Sequence, residues 1–276
     1  MIRRLLGPPR LARSPGWWRA FLAGGLLCAA AAAVERLPGA PGGAAAWTTA
    51  YGVAAAALLV AALAYSGRRR APRRGPAGAW HWLQLHVYGG TLFLVLLAMH
   101  SGGRPPAGAL AWGLWVSSVW VVATGLTGVL IQKWAPAVLT SGLTTEVHYD
   151  RIPDLVRAVR DRVGKLAAAS GDAVRGFHDA HVAASLAAPQ TRLAYFVDVT
   201  GGIQARMRPF DHLRRALEPE DAERVDQMRT LVRTKFEMDA HYTVQKALRW
   251  WLYAHAPAAI LLAALVVFHV FAVLRY

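Results

Sequence analysis

Cysteine is almost missing: Cys28 is the only one in 276 residues. A lone thiol builds no disulfide framework, no thiolate-held zinc, no iron–sulfur cluster and no covalently attached c-type haem. Acidic residues are scarce outside one stretch. Fifteen of the sixteen lie between positions 146 and 239, and Glu35 is the other. The chain also lacks a G-x-G-x-x-G fingerprint, a P-loop and a C-x-x-C pair, so no nicotinamide or flavin domain is legible. No nucleophile–base signature stands out either. The few lysines against many arginines point weakly to a GC-rich bacterial source.

What is present is grease and positive charge. The net charge is +15, which in a soluble protein would suggest nucleic acid. But 55% of residues are hydrophobic and the mean hydropathy is +0.28. Histidine and tyrosine apart, 37–67, 75–103, 105–132 and 250–274 hold no titrating side chain. Each run is long enough to cross a hydrocarbon core of about 30 Å. The expectation is an all-α polytopic membrane bundle with five apolar segments, near 17–34, 47–66, 80–102, 109–132 and 249–274. The first is the weakest. Trp17, Trp18 and Arg19 resemble an interfacial belt and favour an uncleaved anchor, although a signal peptide ending near Ala31–Ala33 would read similarly.

The organisation expected is a basic N-terminus and first anchor (1–46), spans two to four (47–132), a helical insert (133–248) and a fifth span (249–276). Arginine sets the orientation. Arg3, Arg4, Arg10, Arg13 and Arg19 precede the first span, and Arg68, Arg69, Arg70, Arg73 and Arg74 precede the third. The alternate loops carry only Arg36 and Arg104, which places the N-terminus and the insert in the cytoplasm and the C-terminus outside. The insert reads mainly helical. Leu155, Val156, Val159, Val163 and Leu166 mark an apolar face, and Ser170-Gly171 breaks that helix. An extended piece is expected at 193–197 and a turn at Gly201-Gly202. Glu218-Pro219-Glu220-Asp221 starts a helix that can run into the fifth span.

The ten histidines are the informative feature. His86 and His100 lie in the third span and His255 and His269 in the fifth, fourteen residues apart in both. Fourteen residues rise about 21 Å and return to nearly the same face. The two spans run parallel, because an even number of crossings separates them. His86 can then face His255, and His100 can face His269. Two imidazoles across a dry slot are a natural bis-axial cage for haem iron, suited to outer-sphere electron transfer. Zinc fits less well, because no carboxylate or thiol lies at those levels.

These residues resemble the cytochrome b family of quinol–cytochrome c and plastoquinol oxidoreductases. The third span has Leu85, His86, Gly89, Phe93 and His100 in the order of that family's second helix. The fourth carries Gly125 and Gly128, and the fifth carries His255, Pro257, His269 and Arg275. The resemblance implies two non-covalent b-type haems in a four-helix core, with His86, His100, His255 and His269 on iron. It implies close porphyrin packing at Gly89, Gly125 and Gly128. It also implies electron transfer between the quinone pool and a partner protein or subunit carrying c-type haem, iron–sulfur or flavin groups. The chain departs from the family in having Leu130-Ile131-Gln132 where Leu-Pro-Trp is usual, and in the long insert. Ferric-reductase-like membrane domains place paired histidines comparably, so a quinol-dependent metalloreductase is the second reading. A non-redox scaffold or transporter is the third.

Candidate propionate partners are Arg74, Arg104, Lys133, Arg249 and Arg275. His81 is expected to point away from His86. Trp112, Trp115, Trp120, Trp134, Trp250 and Trp251 read as aromatic belts. His178 and His181 are expected on a solvated helix face. His148-Tyr149-Asp150 and Asp239-Ala240-His241-Tyr242 are weaker candidates for a quinone or partner surface, and His212 stands alone.

Overall fold

The computed structural model describes residues 15–38, 43–70, 81–140, 148–196 and 198–275. All regular structure among them is helical. Two compact units divide the chain: residues up to Val129 together with those from Trp251 onward, and Leu130–Trp250.

The first unit holds α1 (Pro15–Glu35), α2 (Gly43–Arg70), α3 (81–100), most of α4 (Gly108–Thr140) and the end of α8 (Pro219–Arg275). Among the described residues, five helices are long and apolar enough to cross a membrane, namely Gly16–Glu35, Gly43–Tyr65, His81–His100, Gly108–Lys133 and the long helix α8. Their outer surfaces are apolar, with Leu27, Val267 and Leu274 at 73%, 70% and 82% exposure. Large apolar faces of this kind need a non-aqueous neighbour. Tyr51, Ala55, Leu59, Phe93, Leu96, Val122 and Leu262 form the interior.

Helix α3 carries a π turn at Leu85–Gly89 before its α-helical part Gly90–His100. It stops at His100. Gly102 and Gly103 take left-handed backbone at φ +62° and +67°, and the Gly103 N–H returns to the Ala98 carbonyl. Only glycine adopts that sequence of angles without strain. Helix α1 runs parallel to α3, with Trp17 beside His81, Phe21 beside Tyr88 and Gly24 beside Leu92.

The second unit has its own core. Helix α5 (Ile152–Ala168) buries Ile152, Val156, Val159, Val163 and Ala167. The expected Leu155 sits at 38% exposure, because the buried stripe runs through Ile152 and Val156 on the adjacent face. Helix α6 covers 172–186 and contains a π turn at His178–Val182. The break at Ser170-Gly171 is as expected. The stretch after Pro189 differs from the sequence expectation. Leu193–Phe196 is a 3-10 turn, and Gly201-Gly202 lies in the first turn of α7 (Val199–Arg214). Asp198 explains this, since its carboxylate caps the Gly201 N–H at 2.9 Å and so starts a helix where a turn was read.

Helix α8 begins at Pro219 and continues for 57 residues to Arg275. In its first half Lys235 and Asp239 form an ion pair at 2.7 Å with both side chains completely buried. Asp239 also accepts the Gln190 N–H at 2.9 Å, and the Thr243 hydroxyl accepts the Arg192 N–H. Two polar residues thus pin the loop before α7. Burial pulls the Lys235 ammonium below its ordinary value and lifts Asp239 above its own, each opposed by the other's charge.

Candidate functional site

The helices of the first unit bring the four spaced histidines together in two pairs. The rings of His86 and His255 lie 6.1 Å apart between centroids, at 75° between planes. Those of His100 and His269 lie 6.2 Å apart, at 82°. The pairing order makes this part of α3 and the end of α8 parallel.

His86, His100 and His255 are also held from behind. His86 Nδ1 lies 3.0 Å from the Ala62 carbonyl oxygen, and His100 Nδ1 lies 2.8 Å from that of Thr48. A carbonyl only accepts, so both rings carry their proton on Nδ1 and present an Nε2 lone pair. Thr48 and Ala62 are fourteen residues apart, as are His86 and His100, so one antiparallel register of α2 against α3 orients both rings. His255 is held differently. The Thr124 hydroxyl donates to the Trp120 carbonyl at 2.7 Å, and its oxygen accepts from His255 Nδ1 at 3.0 Å.

The ring separations are those of two imidazoles able to share one metal ion. A metal–imidazole bond is about 2.0–2.1 Å, and a ring centre lies about 1.1 Å behind the bonded nitrogen, so coaxial rings on one ion have centroids about 6.3 Å apart. Both pairs match that separation. Among the described residues no three His, Cys, Asp or Glu side chains gather around a metal ion. No family model matches the chain, and neither a curated protein nor a solved structure does.

The small residues serve the rings. A Cβ on Gly52 would lie 2.8 Å from the His100 imidazole, so that ring reaches its place only over a bare backbone. A Cβ on Gly125 would touch His255 at 3.4 Å. The space in front of Gly128 is taken by the Trp251 indole, and Gly89 makes ordinary contact with Leu58 and Leu85. Trp251 is not a belt residue. It stacks on His255 at 5.7 Å and 20°, and its Nε1–H donates to the Thr124 carbonyl at 2.7 Å. Its i, i+4 spacing to His255 was the signal available in the sequence. Tyr65 lies against His86 at 5.2 Å. Gly52, Thr124 and Tyr65 carried no sequence pattern of their own.

Among the charged candidates, Arg74 lies outside the described residues. Arg104 is exposed just after α3, and Arg275 sits over the Phe271 ring at 5.9 Å. Lys133 is partly buried. Arg249 pairs with Asp150 at 2.9 Å and lies 4.0 Å over the Tyr149 ring. Tyr149 in turn stacks on Tyr242 at 4.8 Å and 9°, so the two weak tyrosine motifs do meet. The hydrogen bond with Tyr242, then burial, holds the Tyr149 hydroxyl above its ordinary value. His241 is buried, His212 and His148 are exposed, and His178 bonds Asp179 while His181 lies against Phe177.

Proposed function

We propose that this chain is a di-haem b-type membrane cytochrome of five spans. It would carry electrons across a bacterial plasma membrane between the quinone pool and a partner redox protein or subunit. One observation carries the reading. Two histidine pairs, with matched fourteen-residue spacing on parallel helices, stand at the separation that one hexacoordinate iron requires, and the register that spaces the α3 histidines also orients them. An isolated intramembrane histidine has ordinary packing explanations, and two pairs with identical spacing are much harder to obtain by accident.

His86 and His255 would hold one haem, and His100 and His269 the other. Haem b held by these residues would supply one-electron iron redox chemistry. The protein's part is to orient. Ala62, Thr48 and Thr124 fix the tautomer at Nδ1, Gly52 and Gly125 let imidazoles approach backbone, and the apolar interior excludes water. With the N-terminus and insert in the cytoplasm, the His86 level lies toward the cytoplasmic surface and the His100 level toward the outside.

The deciding measurement is the haem content of purified, detergent-solubilised protein with its redox titration. Two haems per chain, a reduced Soret band and two one-electron transitions are expected. His100→Ala should remove one haem and leave the other. Protein lacking a Soret band after expression with adequate haem would end the cytochrome reading.

A further inference from the structure

Two aromatic motifs of the insert meet just before α8 turns apolar. Tyr149, in the 3-10 turn ahead of α5, stacks on Tyr242 of α8 at 4.8 Å and 9°. A cation stands against each ring. The Arg249 guanidinium lies 4.0 Å from the Tyr149 centroid, and Lys246 Nζ lies 5.5 Å from that of Tyr242. Lys246 and Arg249 are i, i+3 neighbours and so share a face of α8. Their other partners hold them loosely. Lys246 donates to the Thr191 hydroxyl at 3.4 Å. Arg249 uses Nη2 alone, 2.9 and 3.2 Å from the two Asp150 oxygens. The Asp150 side chain is 78% exposed, and ion pairs so exposed are worth little. Among the described residues, the Nε–H and both Nη1–H groups of Arg249 have no acceptor.

We infer that Lys246 and Arg249, mounted on the Tyr149–Tyr242 stack, bind the phosphate of an anionic phospholipid headgroup. The rings fix both cations before the ligand arrives, which lowers the ordering cost of binding. A phosphate offers two oxygens to the unused edge of the guanidinium, and the ammonium adds a point charge. Position along the chain selects the occupant. Residues 250–274 hold no Asp, Glu, Lys or Arg, so Arg249 is the last charge before the apolar run. A helix that enters hydrocarbon there puts its preceding turn among lipid phosphates. Trp250 and Tyr253, at 66% and 67% exposure, set amphipathic rings at the same boundary. The inference needs the fifth span but not the haems. A haem propionate would use the same Arg249 donors, and the experiment separates the two.

Full-length protein in a neutral detergent is titrated with phosphatidylglycerol or with phosphatidylcholine, and the lipid retained per chain is counted by native mass spectrometry. Phosphatidylglycerol should be retained in preference. Lys246→Gln and Arg249→Gln should each weaken its retention about fivefold, and the two together about thirtyfold. Phosphatidylcholine retention should not change. Arg208→Gln with Arg215→Gln, which removes two exposed charges from α7, should behave as unsubstituted. Equal retention of the two lipids by the unsubstituted protein would overturn the site, and so would an equal loss in the α7 control. Unchanged phosphatidylglycerol retention in the Lys246→Gln, Arg249→Gln protein would also overturn it, and a shifted haem potential in that protein would assign Arg249 to a propionate. If that protein fails to assemble, a phosphatidylglycerol with a photoreactive headgroup is applied to the unsubstituted chain. Label on 148–151 or 242–253 supports the site, and label only elsewhere refutes it. These failures leave the cytochrome reading standing, and a missing Soret band leaves the lipid site standing.

Discussion

At the scale of residues, the two histidine pairs differ in what stands behind them. His86 and His100 bond to backbone carbonyls, which side-chain substitution cannot remove, whereas His255 has the Thr124 hydroxyl in addition to the Val121 backbone. An acceptor at Nδ1 raises the basicity of the ligating nitrogen and favours ferric iron. Thr124→Val should therefore raise the potential of one haem and leave the other unmoved, and Thr124→Ser should restore it. A redox titration resolving two transitions checks this, and parallel movement of both would count against it. Gly52 makes the opposite prediction for the second pair. Gly52→Val puts carbon where the His100 ring stands, so the chain should bind one haem instead of two, read by pyridine haemochrome. The near-perpendicular ring planes, at 75° and 82°, have a spectroscopic consequence. Both ferric centres should give strongly anisotropic low-spin EPR signals, whereas coplanar ligands would give the ordinary rhombic pattern.

At the scale of elements, the helical repeat is the working part. Inserting one alanine between His255 and His269 turns the later residues by about 100° and shifts them by about 1.5 Å. The first pair should persist and the second should be lost, seen as a halved haem content. Loss of both would mean that the pairs are not held independently. In the other unit the same long helix carries Lys235 and Asp239. Removing one partner of a buried pair leaves an uncompensated charge at a cost of about 3–5 kcal/mol, while an apolar replacement of both is often nearly neutral. Lys235→Met should thus increase proteolysis in the 188–192 loop of the full-length protein. Lys235→Met with Asp239→Leu should recover part of the resistance, the remainder being the lost Gln190 contact. π turns fall at His86 and at His178. An extra residue in a turn is invisible to a spacing argument, and such turns concentrate at functional sites.

At the scale of the whole molecule, two units with separate cores make separate demands. The first has an apolar surface and an interior organised around imidazoles, and the second has a charged surface and an aliphatic core. Residues 133–249 carry 18 basic and 15 acidic residues, a net of +3, so most of the +15 belongs to the first unit. That imbalance is a topology signal, because basic loops stay on the cytoplasmic side. A phosphatase fused after residue 276 should be active outside the cell, and one fused within the insert should be inactive. The reverse pattern would invert the orientation and exchange the levels of the two pairs.

Much of this was legible in the sequence, for physical reasons that can be named. Charge-free runs of membrane length and the repeated fourteen follow from composition and helical pitch. Both operate residue by residue, so the apolar segments, the break at Ser170-Gly171, the start at Pro219 and the candidate pairing of four histidines could all be read. The cap at Asp198, the π turns and the buried face of α5 were misjudged or unseen because local backbone geometry or packing selected them. Three-dimensional packing alone decided that Trp251 donates to the Thr124 carbonyl, that Gly52 clears the way for His100 and that Thr124 accepts from His255. Those contacts join residues more than a hundred positions apart, or lie between helices. Sequence periodicity sets which face of a helix a side chain occupies, but only the neighbouring helix determines what that face meets.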